Sequence, residues 1–562
     1  MKHCLKNMIL LLFLVFLLIK PVFLQAQDIE ALIKAPPMIA NGGVSFSQIF
    51  NASGDGRHPN PYSLFITGNL NYTLFGVATV PLSFSYSNQQ FSGRAALPFN
   101  RFSIAPSYKW IKVYAGYASL QFSPYTLAGH EIFGGGIELT PPGRFKFTAI
   151  YGRLRKAEDE YDDLPPVYRR MGGGFKVEYS TNFINLGINI FSASDDKNSV
   201  VFSNPDSISI LPQDNLSGSI YVNAKFTDNV NLNSEYGISA INNDVLFNSK
   251  NYLFDFEGDV AVHHAMRHNL TYLTSIGNIG VGYERIAPNY ATAGAYYMVN
   301  DFENITANIS TSVKNANIAL SGGFQRDDIG KQKSSVTSRM IFSGNFSTPI
   351  GEKWNVGANM SNIQSFIHIR DVYKQITQTN QFQNLDTLEF TQINLTTGAN
   401  LSYQLQGSEL QNQSISSSFT YQRSSEHQQY STRQGNNIYN GSIVYVFSQI
   451  PAKWSLSANV NYNHNQMSTN NVGTTSYGLS FQKIFWEVLR GMVGATYSNM
   501  SGSDGNSINV LNMRITGGYT LLQKHNFSLT ATTVQAQSNV QYSVNLAYGY
   551  SFGMTFAGKI KD

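Results

Sequence analysis

The sequence predicts an all-β fold: a transmembrane, antiparallel, up-and-down β-barrel of about 22–26 strands. Three observations predict it. Apolar and polar residues alternate with a period of two along most of the chain. The polar side of that alternation holds Ser, Asn, Gln, Thr and Gly rather than Lys and Glu. Charged residues make up only 13 % of the chain, about half the usual share, and aromatic residues another 13 %.

The N-terminus names a compartment. Lys2 and Lys6 precede an apolar run from Met8 to Ile19, and small residues lead to a cut between Ala26 and Gln27. This is the layout of a secretory signal peptide, with an apolar run short for a membrane span. Residues 1–26 are therefore expected to be removed. Cys4, the chain's one cysteine, goes with them. An exported chain of this size without disulfides points to a bacterial envelope, and to the outer membrane if it is a barrel. Without Lys2, Lys6 and Lys20 the 39 basic residues become 36, against 35 acidic ones. Near-neutrality gives no reason to expect a nucleic-acid partner.

Residues 27–43 read as a short periplasmic lead, and residues 44–562 as one barrel. Period two is plain at residues 80–87 (VPLSFSYS), 184–190 (INLGINI), 305–313 (ITANISTSV), 393–403 and 454–463 (WSLSANVNYN). Turn signals such as NASGDG at 51–56 and SGSDGNS at 501–507 separate the strands. Alternation fails near 157–170 (AEDEYDDLPPVYRR) and 367–386, which read as long loops. After residue 26 no apolar run reaches the ~18 residues of a helical span.

The last stretch, residues 540–556 (VQYSVNLAYGYSFGMTF), shows which solvent is involved. Its even positions are apolar, among them Tyr548, Tyr550 and Phe552; its odd positions are Gln, Ser, Asn, Ala, Gly and Thr. A soluble sandwich would place charge on so long a polar face. A membrane barrel turns the apolar face to lipid and the polar one to the lumen. The stretch resembles the C-terminal strand that barrel-assembly machinery reads, with Tyr548, Tyr550 and Phe552 as candidate recognition positions. Here residues 558–562 follow the last aromatic. A membrane strand needs about 9–11 residues and, with its connections, roughly 20–23, which yields the strand count.

Residues 123–157 (SPYTLAGHEIFGGGIELTPPGRFKFTAIYGRLRKA) and 282–306 (GYERIAPNYATAGAYYMVNDFENIT) resemble a family of large outer-membrane barrels of Bacteroidota. The resemblance implies the fold and the location, with no chemistry attached. TonB-dependent transporters differ in placing a plug domain ahead of a 22-stranded barrel. Here alternation starts by about Val44, which leaves no room for one.

No constellation reads as catalytic, and no cofactor is expected. His264 and His268 share a strand face but stand roughly 13 Å apart, too far for one metal ion. They read as polar lumen or rim residues. Gly134–Gly136 and Gly172–Gly174 lack the Lys-Ser/Thr of a phosphate loop and read as barrel bends. Arg101, Lys109, Lys112, Arg144 and Lys146 form a basic group. The acidic run Glu158, Asp159, Glu160, Asp162 and Asp163 follows, ending at Arg169 and Arg170. These charges are candidates either for a lumen constriction that sorts solutes or for rim charges facing lipopolysaccharide phosphates.

The expected function is a wide, mostly neutral channel for hydrophilic solutes or a polymer. The alternative is a barrel subunit of a secretion, surface-display or barrel-assembly complex, its pore filled or capped by a lipoprotein or an exported protein.

Overall fold

The computed structural model describes residues 36–556, except 55, 57–60, 90–99, 161–165, 201–209, 243–259, 328, 331–337, 363–392, 426–434, 468–470, 504 and 538. The predicted loop near 367–386 and the segment 1–26 lie outside the described residues.

Among the described residues all the regular structure is strand. The first part of the wall is β1 (Met38–Ser53), β2 (Tyr62–Leu74), β3 (Ala78–Ser87), β4 (Arg101–Ile104), β5 (Ser107–Tyr108), β6 (Ile111–Gln121), β7 (Ala128–Leu139), β8 (Phe145–Arg155) and β9 (Arg169–Ser180). It continues with β10 (Ile184–Asp196), β11 (Asp214–Thr227), β12 (Val230–Asn242), β13 (Ala261–Thr274), β14 (Gly277–Ile286), β15 (Phe302–Val313), β16 (Ala316–Asp327), β17 (Ser338–Ile350) and β18 (Trp354–Ser361). The last third is β19 (Ile393–Gly407), β20 (Gln411–Ser425), β21 (Gly435–Gln449), β22 (Trp454–Gln466), β23 (Asn471–Phe485), β24 (Leu489–Gly502), β25 (Ser507–Leu521), β26 (His525–Ala536) and β27 (Asn539–Phe556).

Each strand pairs antiparallel with the next, and β4 and β5 share one position between β3 and β6. The break between them falls at Ala105-Pro106, where proline supplies no N–H to a ladder. β27 then pairs with β1 from Ser53↔Gln541 to Met38↔Phe556. The result is a closed barrel of 26 staves. Strand begins at Met38, before the expected Val44; the run Ala40-Asn41-Gly42-Gly43 hides the alternation because its residues are small.

The two faces sort as lipid requires. On β27 Tyr542, Leu546, Met554 and Phe556 are exposed on the outside, while Asn545 on the other face accepts a hydrogen bond from Ser47 at 2.9 Å. The same split runs round the wall, with Ile220, Val281, Ile305, Phe324, Ile443, Leu479 and Ile515 exposed outward. Aromatic rings gather toward both ends of the staves. At the short-turn end stand Trp354–Tyr403 (4.2 Å), Phe145–Tyr179 (5.0 Å) and His525–Tyr550 (4.8 Å). Toward the long-loop end stand Phe50–Tyr62 (5.2 Å), Tyr117–Phe133 (4.9 Å) and Tyr421–Tyr439 (5.0 Å). Two such belts are where amphipathic rings meet headgroups on either side of a bilayer.

The glycine runs let neighbouring strands of the wall approach closely. Gly116, Gly134, Gly152 and Gly172 lie side by side on β6–β9, facing the lumen. A Cβ on Gly134 would lie 2.1 Å from the Tyr151 carbonyl oxygen, and one on Gly152 would lie 2.5 Å from that of Phe133. Only hydrogen fits where strands approach this closely. Gly134→Val should therefore cost more than about 4 kcal/mol and abolish the folded, heat-modifiable band on an unheated gel. Gly518→Val, at a position with open space around it, should leave that band unchanged.

Candidate functional site

The face opposite the exposed apolar rows is the lumen wall, and its chemistry differs between two sectors. Among the described side chains, the lumen face of β18–β27 and β1–β3 carries two charges, Arg490 and Arg514. The lumen face of β6–β14 carries Lys112, Glu138, Lys146, Arg170, Lys176, Glu178, Asp195, Lys225, Glu235, Arg267 and Glu284. Register aligns Glu235, Arg267 and Glu284 on three neighbouring strands, so each of these three has an opposite neighbour on its own wall.

Against this charged sector pack two segments that leave the wall at its long-loop end. One is residues 122–127, between β6 and β7; the other is residues 287–301, between β14 and β15. They meet as an inner shelf. Tyr290 Oη donates to the Tyr125 carbonyl at 2.8 Å, and Thr292 Oγ1 to that of Thr126 at 2.7 Å. The Ala128 amide donates to Gly294 at 2.9 Å. Gly294 is glycine because a Cβ would lie 2.4 Å from the Thr126 carbonyl oxygen.

The shelf is bonded to the wall as well. Ser239 Oγ donates to the Ala291 carbonyl at 2.5 Å, the Ala293 amide to Asn215 Oδ1 at 2.9 Å, and Tyr125 Oη to Glu284 at 3.1 Å. Ser123 Oγ donates to Glu235, whose other oxygen faces Arg267 at 3.6 Å. Gly237 leaves room for the Tyr125 side chain, whose Cβ an added Cβ would meet at 2.7 Å. Tyr125 and Tyr290 are almost wholly buried, and burial pushes both phenols well above the usual range. They stay neutral donors at any physiological pH. Beside them Leu120, Phe122, Leu127, Ile132, Ile150, Leu154 and Phe191 form an apolar core on the lumen side of the wall. These strands carry apolar residues on both faces because one is packed by lipid and the other by the shelf.

The sequence-predicted charges are dispersed. Lys112 and Lys146 face the lumen opposite Glu138 and Glu178. Arg101 pairs with Glu131 at 2.6 Å. Lys109 and Arg144 sit in short turns, Arg144 donating to Tyr179 Oη at 3.1 Å. Arg170 grips Asp195 with two bonds of 2.7 and 2.8 Å, Arg155 approaches the same carboxylate at 3.4 Å, and Arg169 pairs with Asp196. Glu158, Asp159 and Glu160 are exposed at the long-loop end; Asp162 and Asp163 lie outside the described residues.

His264 and His268 are not on the lumen wall. Met266, Leu270 and Tyr272 set the outward register of β13, which carries both rings into the outer belt toward the long-loop rim. There Tyr236 Oη lies 2.8 Å from His264 Nδ1, and His268 stacks on Tyr283 at 6.3 Å. Tyr548, Tyr550 and Phe552 also face outward, with Tyr550 stacked on Phe552 at 5.7 Å.

No family model and no curated protein matches the chain. Among solved structures it is similar to the P pilus usher (PapC) translocation pore, at 10 % identity over 92 % of this chain and 100 % of that one, TM-score 0.29. It is similar to OpdO of Pseudomonas aeruginosa at 8 % identity, over 92 % and 97 %, TM-score 0.34. It is also similar to BauA, the ferric preacinetobactin receptor of Acinetobacter baumannii, at 8 % identity, over 91 % and 80 %, TM-score 0.37. At these values the likeness extends to large strand-built barrels and carries no residue's role across.

The shelf makes one prediction. Gly294→Val should lift residues 287–301 off residues 122–127 without altering the wall. Limited proteolysis of the folded barrel should then cut within 287–301 at least tenfold faster, with the heat-modifiable band retained.

Proposed function

We propose that the protein is an outer-membrane channel whose wide, hydrophilic lumen passes large uncharged or weakly charged cargo. The observation that supports this most is the neutral lumen sector. From β18 through the seam to β3 the inner face presents amides and hydroxyls, as in the Ser418–Ser442 and Ser476–Ser498 pairs at 2.7 and 2.8 Å. Asparagines there lie flat over glycines directly across the ladder: Asn359 over Gly398, Asn400 over Gly357, Asn459 over Gly478. Removing the Cβ beneath each amide lets it settle into the wall.

Size supports large cargo. With strands about 4.8 Å apart and tilted about 40°, 26 staves enclose a barrel about 50 Å across. At physiological salt the Debye length is about 8 Å, so charges on facing walls do not sense one another. A field across the whole lumen is therefore not the sorting device. The exposed acids Glu158, Asp159 and Glu160, with Arg169 and Arg170, are read as rim charges at the mouth. The same width favours a second reading: a barrel in an envelope complex whose lumen is filled by a partner protein.

Single-channel recording of the purified protein in a planar bilayer separates the two readings. Large, steady openings are expected. A silent bilayer from protein that is folded and heat-modifiable would overturn the open channel and leave the partner-filled barrel. In the same recording, deleting residues 158–163 should leave the steps unchanged if these residues are rim charges; larger steps would make them a constriction.

Tyr548, Tyr550 and Phe552 are proposed as the assembly signal on the strand that closes the seam. Tyr550→Asp with Phe552→Asp should abolish insertion in cells, read as loss of the heat-modifiable band from membranes. Normal insertion would remove the proposal.

A further inference from the structure

We propose that the lumen wall at the short-turn end of β14–β19 binds an uncharged, polyhydroxylated chain of the neutral oligosaccharide class. A recess of about 800 Å³ opens there. That is within the range of small-ligand sites, about 300–1,000 Å³. Its polar lining is six asparagines, Asn278, Asn317, Asn345, Asn355, Asn359 and Asn400, with serine and threonine hydroxyls between them.

The lining selects a chemical class by elimination. Among the described residues no Asp, Glu, Lys or Arg lines the recess, so an ionic ligand would give up hydration without meeting a counter-charge. An apolar ligand would leave the amides without partners, at a cost of about 1–3 kcal/mol for each group buried. A ligand with several neighbouring hydroxyls suits them, because each asparagine offers two N–H donors and a carbonyl acceptor side by side.

The depth is built by a reciprocal exchange between two strands. On β18 and β19, Asn359 lies over Gly398 and Asn400 over Gly357, so each strand contributes one amide and one gap. A Cβ on Gly398 would meet Asn359 Oδ1 at 2.6 Å; on Gly357 it would sit closer still to Asn400. Both collisions are with the ends of flexible side chains rather than with backbone. Glycine here lowers the amides into the wall, whereas the glycines of β6–β9 make room for neighbouring backbone. The recess also lies at the opposite end of the lumen from the shelf, so neither needs the other to form.

This inference deepens the channel reading and rests on it for a hydrated lumen. The test is calorimetry on the full-length barrel in a detergent without a sugar headgroup, titrated with maltoheptaose, cellohexaose and an isomalto-oligosaccharide. At least one is expected to bind saturably, and Asn345→Ala/Asn359→Ala/Asn400→Ala should weaken that binding at least tenfold. Gly357→Val, which pushes the Asn400 amide up into the recess, should weaken it similarly while the heat-modifiable band persists. No saturable binding of any of the three, or wild-type affinity in the triple variant, would overturn the proposal. Calorimetry needs no ion flow. Sugar binding with a silent bilayer would thus reject the open channel and keep the recess, and steady openings without sugar binding would do the reverse.

Discussion

Everything in this structure depends on closing the ladder. A backbone N–H or C=O left unpaired in hydrocarbon costs several kcal/mol, so an open sheet edge has no place in lipid. The β1–β27 pairing removes the last edge and joins the two ends of the described chain at one seam. Once the sheet is closed, each strand has an outside and an inside, and the period of two decides which residues meet which solvent. The apolar rows, the two aromatic belts and the polar lumen all follow from that closure.

Closure leaves the interior to be organised, and this chain does so unevenly. One sector is charged, lined with glycines where strands approach closely, and covered by the shelf. There, buried hydroxyls and amides find partners among carboxylates and carbonyls, and apolar side chains pack on the inside. The other sector is open, smooth and close to neutral. With charges balanced locally by register, and a lumen several Debye lengths wide, the electrostatics of each site are those of its own wall.

The fold was legible because its signal is repeated along most of the chain. Residues 540–556 alone state the solvent argument, and the strand count follows from length. The shelf was harder to see. Residues 122–127 and 287–301 have no periodicity, since their partners are 165 residues apart in the chain, as in the Tyr125–Tyr290 bond. Their proline and tyrosine content, with Gly294, was the available signal, but it reads equally well as a loop. Asp195, Glu235 and Glu284 were overlooked for a related reason. Each is an isolated acid in a neutral strand, and its importance comes from the arginine or tyrosine that register brings beside it. Of the two places read for His264 and His268, lumen or rim, they stand toward the rim on the outer face; polarity alone leaves both open, and the face is set by Met266, Leu270 and Tyr272.

The central claim is that odd positions of the closing strand face water and even positions face lipid. It can be measured directly because the one natural cysteine, Cys4, precedes the expected cleavage site. Single cysteines placed in turn from Ser543 to Gly553 would be exposed, in intact outer-membrane fragments, to a membrane-impermeant maleimide small enough to enter the lumen. The account predicts labelling at Ser543, Asn545, Ala547, Gly549 and Ser551, with protection at Val544, Leu546, Tyr548 and Tyr550. Uniform labelling, or protection that follows the opposite parity, would contradict it.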